Sequence, residues 1–249
     1  MSGHSKWSTI KRKKGAADAK RGKIFTKLIK EITIAARIGG GDPGGNPRLR
    51  RAIDAAKAQN MPHDNIDRAI KKGTGELEGV TYEELLYEGV GPEGALFLVE
   101  VMTDNRNRTA AEIRKIFDKN GGQLGGSGSA AWAFERRGVI KLPLEAASEE
   151  QLFEVAVGAG AEDLEAVGDT WVIYTPRADL DAVAKALESA GVQVDEAKLA
   201  YLPTTPKEVD GDGAKKLVAL HDALDDHDDV QNVFSDFELS ESALAALED

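Results

Sequence analysis

Ten of the first thirty residues are cationic. Lys6, Lys11, Arg12, Lys13, Lys14, Lys20, Arg21, Lys23, Lys27 and Lys30 stand against one acid, Asp18, and Trp7 sits among them. Cations at this density neutralise phosphates, and a flat indole can stack on a base or sugar. The chemistry on offer is recognition of a polyanion. The competing reading is a solvated, positively charged leader. It is set aside because the bias persists beyond the leader. Trp7 either stacks on nucleic acid or packs on the helices that follow.

Two further sets of residues fit the same chemistry. Arg48, Arg50 and Arg51, with Lys57, fall on the outer face of a helix expected over residues 47–60. The stretch TDNRNRT, residues 103–109, puts Arg106 and Arg108 on a polar strand-to-helix turn. A helix N-terminus attracts anions, so the two arginines form a candidate second anion site. In the alternative, Asp104 and Asn107 cap the turn and the arginines pair with nearby carboxylates.

Catalytic chemistry finds no comparable footing. There are no cysteines, which removes disulfides, thiolate metal sites and thiol catalysis together. His4 and His63 are isolated, and no Ser/His/Asp pattern is present. His221 and Asp225 are four apart on one helix face, with His227 following. Such a set could take a divalent ion, but an acidic, solvated helix end is the reading adopted. No metal, cofactor or small-molecule substrate is expected, and the chain is read as a non-enzyme. The glycine-rich GGQLGGSGS, residues 121–129, follows a helix and lacks the Gly-Lys-Ser/Thr ending of a phosphate loop. It is read as a flexible loop that orders on binding.

The whole chain of 249 residues has a formal net charge of −11. The charge is segregated. Residues 1–75 carry 18 Lys and Arg against 6 Asp and Glu, a net +12. The remaining 14 basic and 37 acidic residues leave −23 for residues 76–249. Exposed charges are screened over about 8 Å at physiological salt, so the basic part acts locally whatever the other part carries. No run approaches the roughly 18–20 apolar residues of a membrane helix. The basic start lacks the apolar core of a secretory signal. A mitochondrial transit peptide is set aside because the basic segment runs straight into a patterned helix. The expectation is a soluble cytoplasmic protein without a membrane partner.

These residues need elements to position them. Ile24, Phe25, Leu28, Ile29, Ile32, Ala35 and Ala36 recur at helical steps, predicting one amphipathic helix over residues 16–37. Asn46 reads as an N-cap with Pro47 at the first helical position of the second helix. Ile66, Ala69 and Ile70 mark a short third helix closed by Gly73. The three make a bundle within residues 1–75.

After a linker the pattern becomes mixed. Strands are expected at residues 84–90 and 95–103, then a helix capped by Asn107 or Arg108. Trp132 and Phe134 open another strand as core residues. Over residues 135–204 the order is β-α-β-β-α-β, the ferredoxin-like pattern. A closing helix and strand, within residues 205–240, should return to the sheet of residues 78–134. The fold class is therefore α+β in three domains: the N-terminal three-helix bundle and two α+β domains, the third ferredoxin-like and inserted in the second.

Four motifs in one order resemble the YebC family: the leader SGHSKWSTIKRKKGAADAKRGKIFTKLIKEI, then GGGDPGGNPRLRRAIDAAKAQNMP, TDNRNRT and DDHDDVQNVF. The resemblance runs from about residue 2 to residue 238 and leaves out the tail SESALAALED. It implies the same three-domain layout. It also implies a non-enzymatic, nucleic-acid-binding regulator of gene expression. Some members are described as DNA-binding transcriptional regulators. Others, among them a mitochondrial translational activator, look like translation factors acting on the ribosome, including at proline-rich stretches. Nucleic acid is the expected partner, either DNA or ribosomal RNA and tRNA, with the ribosome as a candidate. Phosphate grips are common to both readings, and the residues do not choose between them.

Overall fold

The computed structural model describes the backbone of residues 17–248 and the side chains of residues 22–246. By contact density the chain forms two compact units. Of the described residues, one comprises 17–134 with 203–248, and the other 135–202.

The first unit opens with three helices: α1 (Ala17–Gly39), α2 (Pro47–Ala58) and α3 (His63–Thr74). Their core is Ile32, Ala35, Ala36, Leu49, Ala52, Ile53, Ala56, Met61, Ile66 and Ala69, with Phe25, Leu28, Ile29 and Ile70 partly buried against it. All but Met61 belong to the apolar stripes expected from the sequence, whereas Ile24, expected in the first stripe, is exposed. Asn46 caps α2 as expected, accepting the Leu49 N–H at 3.1 Å. Its amide also donates to Ala35 O at 2.8 Å and Gly40 O at 2.9 Å. One buried side chain thus closes the end of α1 and the start of α2.

Gly73 is not the terminator of α3. The helix continues to Thr74, and Gly75 takes the left-handed cap with φ 84°. Gly73 serves helix crossing instead: a Cβ there would lie 2.4 Å from Thr33 O and 2.7 Å from Ala36 Cβ. The missing side chain lets α3 lie against the backbone of α1.

The rest of this unit is a sheet of order β3-β1-β2-β9, built from β1 (Glu83–Val90), β2 (Leu96–Thr103), β3 (Gln123–Leu124) and β9 (Val230–Ser235). β2 pairs antiparallel with β1 and with β9, so the last part of the chain does return to the earlier sheet. Helix α4 (Arg106–Lys119) links β2 to β3, and α7 (Gly211–Asp225) precedes β9. Phe97 of β2 and Phe117 of α4 meet edge to face with centroids 5.9 Å apart. The short β8 (Lys207–Val209) and β10 (Phe237–Leu239) pair in parallel, and α8 (Glu241–Glu248) forms in the tail.

The second unit has the β-α-β-β-α-β order: β4 (Phe134–Pro143), α5 (Glu149–Leu152), β5 (Asp163–Val167), β6 (Thr170–Thr175), α6 (Leu180–Ser189) and β7 (Glu196–Pro203). Its sheet order is β5-β6-β4-β7, and Ile140, Leu142, Leu152, Ile173, Leu180 and Leu187 fill its core. α5 continues as a π-helical turn over Phe153–Val157. Trp132 departs from expectation. It lies in a 3₁₀ turn before β4 and is 73% exposed, whereas Phe134 is buried. The strand alternation begins at Phe134, so Trp132 has no core face to occupy. Among the described residues no helix is long and apolar enough to cross a membrane.

Candidate nucleic-acid interface

Helix α1 carries Lys23, Lys27 and Lys30 at helical spacing, and their partners are internal. Lys23 Nζ lies 3.1 Å from Asp226 Oδ1, and Lys27 Nζ lies 3.0 Å from Asp225 Oδ1. The same ammonium groups donate to Asp226 O at 2.9 Å and Asp225 O at 3.1 Å. Acids at a helix C-terminus oppose its dipole, and α7 ends at Asp225 with no basic residue in its last turn. The lysines of α1 supply the missing cations from across the fold.

Lys30 goes deeper. It is buried and spends its three donors on Asp229 Oδ1 at 2.7 Å, Asp228 O at 2.9 Å and Met102 O at 3.2 Å. The Tyr82 ring lies 5.6 Å from the same ammonium. Asp229 Oδ2 accepts from Thr109 Oγ1 at 2.7 Å, an Arg108 guanidinium nitrogen at 3.0 Å and Thr103 Oγ1 at 3.1 Å. Burial opposes ionisation of this carboxyl. Lys30, Thr109 and Arg108 outweigh it and hold Asp229 well below the usual carboxylate range. A buried ion pair is tolerable only when its remaining donors and acceptors are satisfied, and here they are. Two of the sequence motifs, residues 103–109 and 225–234, are thereby joined at one network.

The arginines separate accordingly. Arg108 pairs with Asp104 at 2.9 Å as well as with Asp229. That is the carboxylate-paired alternative, so Arg108 is committed within the protein. Helix α4 also begins earlier than expected, with Asn105 as the cap accepting the Arg108 N–H at 3.1 Å. Arg106 is therefore in the first turn of α4, where it is exposed. Arg48 makes a two-nitrogen pair with Glu31, at 2.7 and 2.9 Å, and a second pair with Glu84. Burial lowers its proton affinity, but the two carboxylates more than reverse this and raise it. Arg50 is exposed and donates to Pro43 O at 3.2 Å, while Arg51 is half-buried. Lys57, Arg68, Lys71 and Lys72 are exposed on α2 and α3. Lys6, Trp7, Lys11, Arg12, Lys13 and Lys14 lie outside the described residues, as do the side chains of Lys20 and Arg21.

The glycine-rich stretch does cradle an anion, but it is the protein's own. Glu88 accepts N–H bonds from Gly128 and Ala130, each at 2.7 Å, and from Ala131 at 2.8 Å. Burial pushes this carboxyl up, and the backbone donors more than cancel it, leaving it below its ordinary range. The expected loop that orders on binding is thus pinned at Glu88. No local pattern signals this, because the carboxylate comes from β1, about forty residues away.

The metal question resolves into different partners. Asp225 is taken by Lys27, and His227 Nε2 lies 2.9 Å from Glu112 Oε2. Asp229 N–H donates to His227 Nδ1 at 3.1 Å, which places the ring proton on Nε2. Glu112, His227 and Asp229 present atoms within 4.8 Å of one another. However, Lys30 and Arg108 already occupy the Asp229 oxygens, so the donor set is closed by cations of the protein.

A basic helical bundle, packed with a discontinuous α+β unit that carries a β-α-β-β-α-β insertion, defines the class. Residues 5–76 match the model of the TACO1/YebC protein N-terminal domain, and residues 82–237 that of the TACO1/YebC second and third domain. The chain belongs to the TACO1/YebC family. It is 56% identical over 247 residues to a protein of Desulforapulum autotrophicum named a probable transcriptional regulatory protein, covering 99% of this chain and 100% of that one. A protein of the same description from Chlorobium luteolum is 55% identical, with full coverage of both. The crystal structure of a conserved hypothetical protein from Aquifex aeolicus superposes with a TM-score of 0.86 at 47% identity, covering 92% of this chain and 95% of that one.

Proposed function

We propose that this chain is a non-enzymatic, cytoplasmic regulator of gene expression that binds nucleic acid, acting as a DNA-binding transcriptional regulator. The observation that carries the reading is the exposed basic surface of the bundle. Arg50, Lys57, Arg68, Lys71 and Lys72 face solvent on α2 and α3, in the part of the chain that holds the net +12. The basic leader precedes the same bundle. The relatives' description as probable transcriptional regulatory proteins agrees with it.

A second reading, a ribosome-associated translation factor that grips ribosomal RNA or tRNA, has one observation in its favour. Helix α2 is the natural groove-reading element, yet its Arg48 is spent on Glu31 and Glu84. The cations left on it suit phosphate contact better than base readout.

Ultraviolet crosslinking in cells, with sequencing of the attached nucleic acid, tests the proposal. Discrete DNA segments upstream of genes support the transcriptional reading. Ribosomal RNA or tRNA as the main product replaces it with the translational one. Signal at background for both overturns nucleic-acid binding altogether.

A further inference from the structure

Residues 76–249 carry a net −23, yet α4 within them holds five basic residues and two acids. Its two flanks have different fates. On the flank toward β9, Arg108 is paired with Asp104 and Asp229, and Glu112 with His227. On the flank toward β1, Arg106 and Arg114 are exposed. Among the described residues neither guanidinium has a carboxylate within ion-pair distance.

Tyr87 of β1 lies beside the first turn of α4. Its hydroxyl lies 3.4 Å from Arg106 O. Burial raises the phenol's proton affinity, while Arg106 and Arg114 oppose that rise electrostatically; Glu83 is the one acid adding to it. The patch therefore has two exposed guanidiniums on a helix of 14 residues, Arg106 in its positive first turn and Arg114 near its middle, with the half-buried Tyr87 ring beside the first turn.

We infer that Arg106, Arg114 and Tyr87 form a second contact for the phosphate backbone of a nucleic acid, distinct from the leader and the bundle. The inference rests on the proposed nucleic-acid reading. Two exposed guanidiniums without a carboxylate partner, on a helix with five basic residues against two acids, place a positive patch in a segment that is otherwise strongly acidic. Guanidinium forks fit phosphate oxygens, and the ring supplies a flat wall beside them. The contact replaces the Arg106–Arg108 pair suggested by the sequence.

The test uses the full chain and two duplexes of one sequence, RNA and DNA, with affinity followed across salt concentrations. Arg106→Ala with Arg114→Ala should weaken binding several-fold at low salt and reduce the log–log salt slope by up to about two units. Arg106→Lys with Arg114→Lys keeps the charges and should restore most of the slope, which separates lost contact from lost fold. Lys215→Ala with Lys216→Ala on α7 removes equal charge elsewhere and sets the baseline. An alanine variant indistinguishable from that baseline overturns the inference while wild-type binding leaves the parent reading standing. Wild-type protein that binds neither duplex overturns both. Loss on one duplex or on both supports the contact and identifies which nucleic acid uses it.

Discussion

Lys30 Nζ lies 2.7 Å from Asp229 Oδ1, with each side chain only 8% exposed, although the residues are 199 positions apart. This pair ties the N-terminal bundle to the sheet. Removing one partner leaves a buried charge uncompensated. Lys30→Met should therefore cost about 3–5 kcal/mol. Urea denaturation measures it; a loss below about 1 kcal/mol would show that the network is not what joins the two parts.

The asymmetry at the end of α7 gives a second expectation. Lys23→Gln with Lys27→Gln leaves Asp225 and Asp226 facing the helix dipole without their cations. Asp225→Asn with Asp226→Asn removes the ion pairs and the dipole conflict together. The lysine variant should lose about 1–2 kcal/mol, and the asparagine variant stay within roughly 0.5 kcal/mol of wild type. Equal losses in thermal unfolding would refute compensation in trans.

Acid stability should follow Asp229 and Glu88. Both have lowered folded-state values, so their contributions are present above the ordinary carboxylate pKa, near 4, and are lost as pH falls below it. Asp236 runs the other way. Burial raises it, so its contribution is full below the ordinary value and is lost as pH rises through the raised one. Asp210, held low by the Gly211 N–H, acts in the same direction as Asp229 and Glu88, and these lowered groups against the one raised carboxyl give stability that falls on acidification. Asp229→Asn should flatten the dependence of the denaturation midpoint on pH between about pH 2 and 5.

Gly73→Ala sets two magnitudes against each other. Alanine improves an exposed helix interior by about 1 kcal/mol. Here the new Cβ would meet Thr33 O at 2.4 Å, and overpacking costs about 1–3 kcal/mol. The substitution should be net destabilising, with a lower melting temperature. A rise would mean that α1 and α3 separate without penalty.

Glu88→Gln replaces one acceptor oxygen with a donor facing the N–H groups of residues 128–131. Each N–H left unsatisfied costs about 1–3 kcal/mol. Amide hydrogen exchange at Gly128, Ala130 and Ala131 should accelerate by at least tenfold while the bundle stays protected. Uniform exchange rates would show that Glu88 does not pin the loop.

Local pattern and composition were enough for much of this protein. The helical stripe of α1, the Asn46 cap with Pro47 behind it, the β-α-β-β-α-β order and the segregation of basic from acidic residues all follow from spacing along the chain. Those features depend on neighbours three or four residues away, or on counts. Tertiary structure alone decided which charges are available. Lys23, Lys27, Lys30, Arg48 and Arg108 look alike in the sequence to Arg50 and Arg106. Ion pairing is set by distances under 4 Å in space, and several of the partners lie more than a hundred residues away. The same holds for Gly73, whose role is a close approach between helices, and for Glu88, which fills the anion nest that a glycine-rich loop would otherwise offer to a ligand.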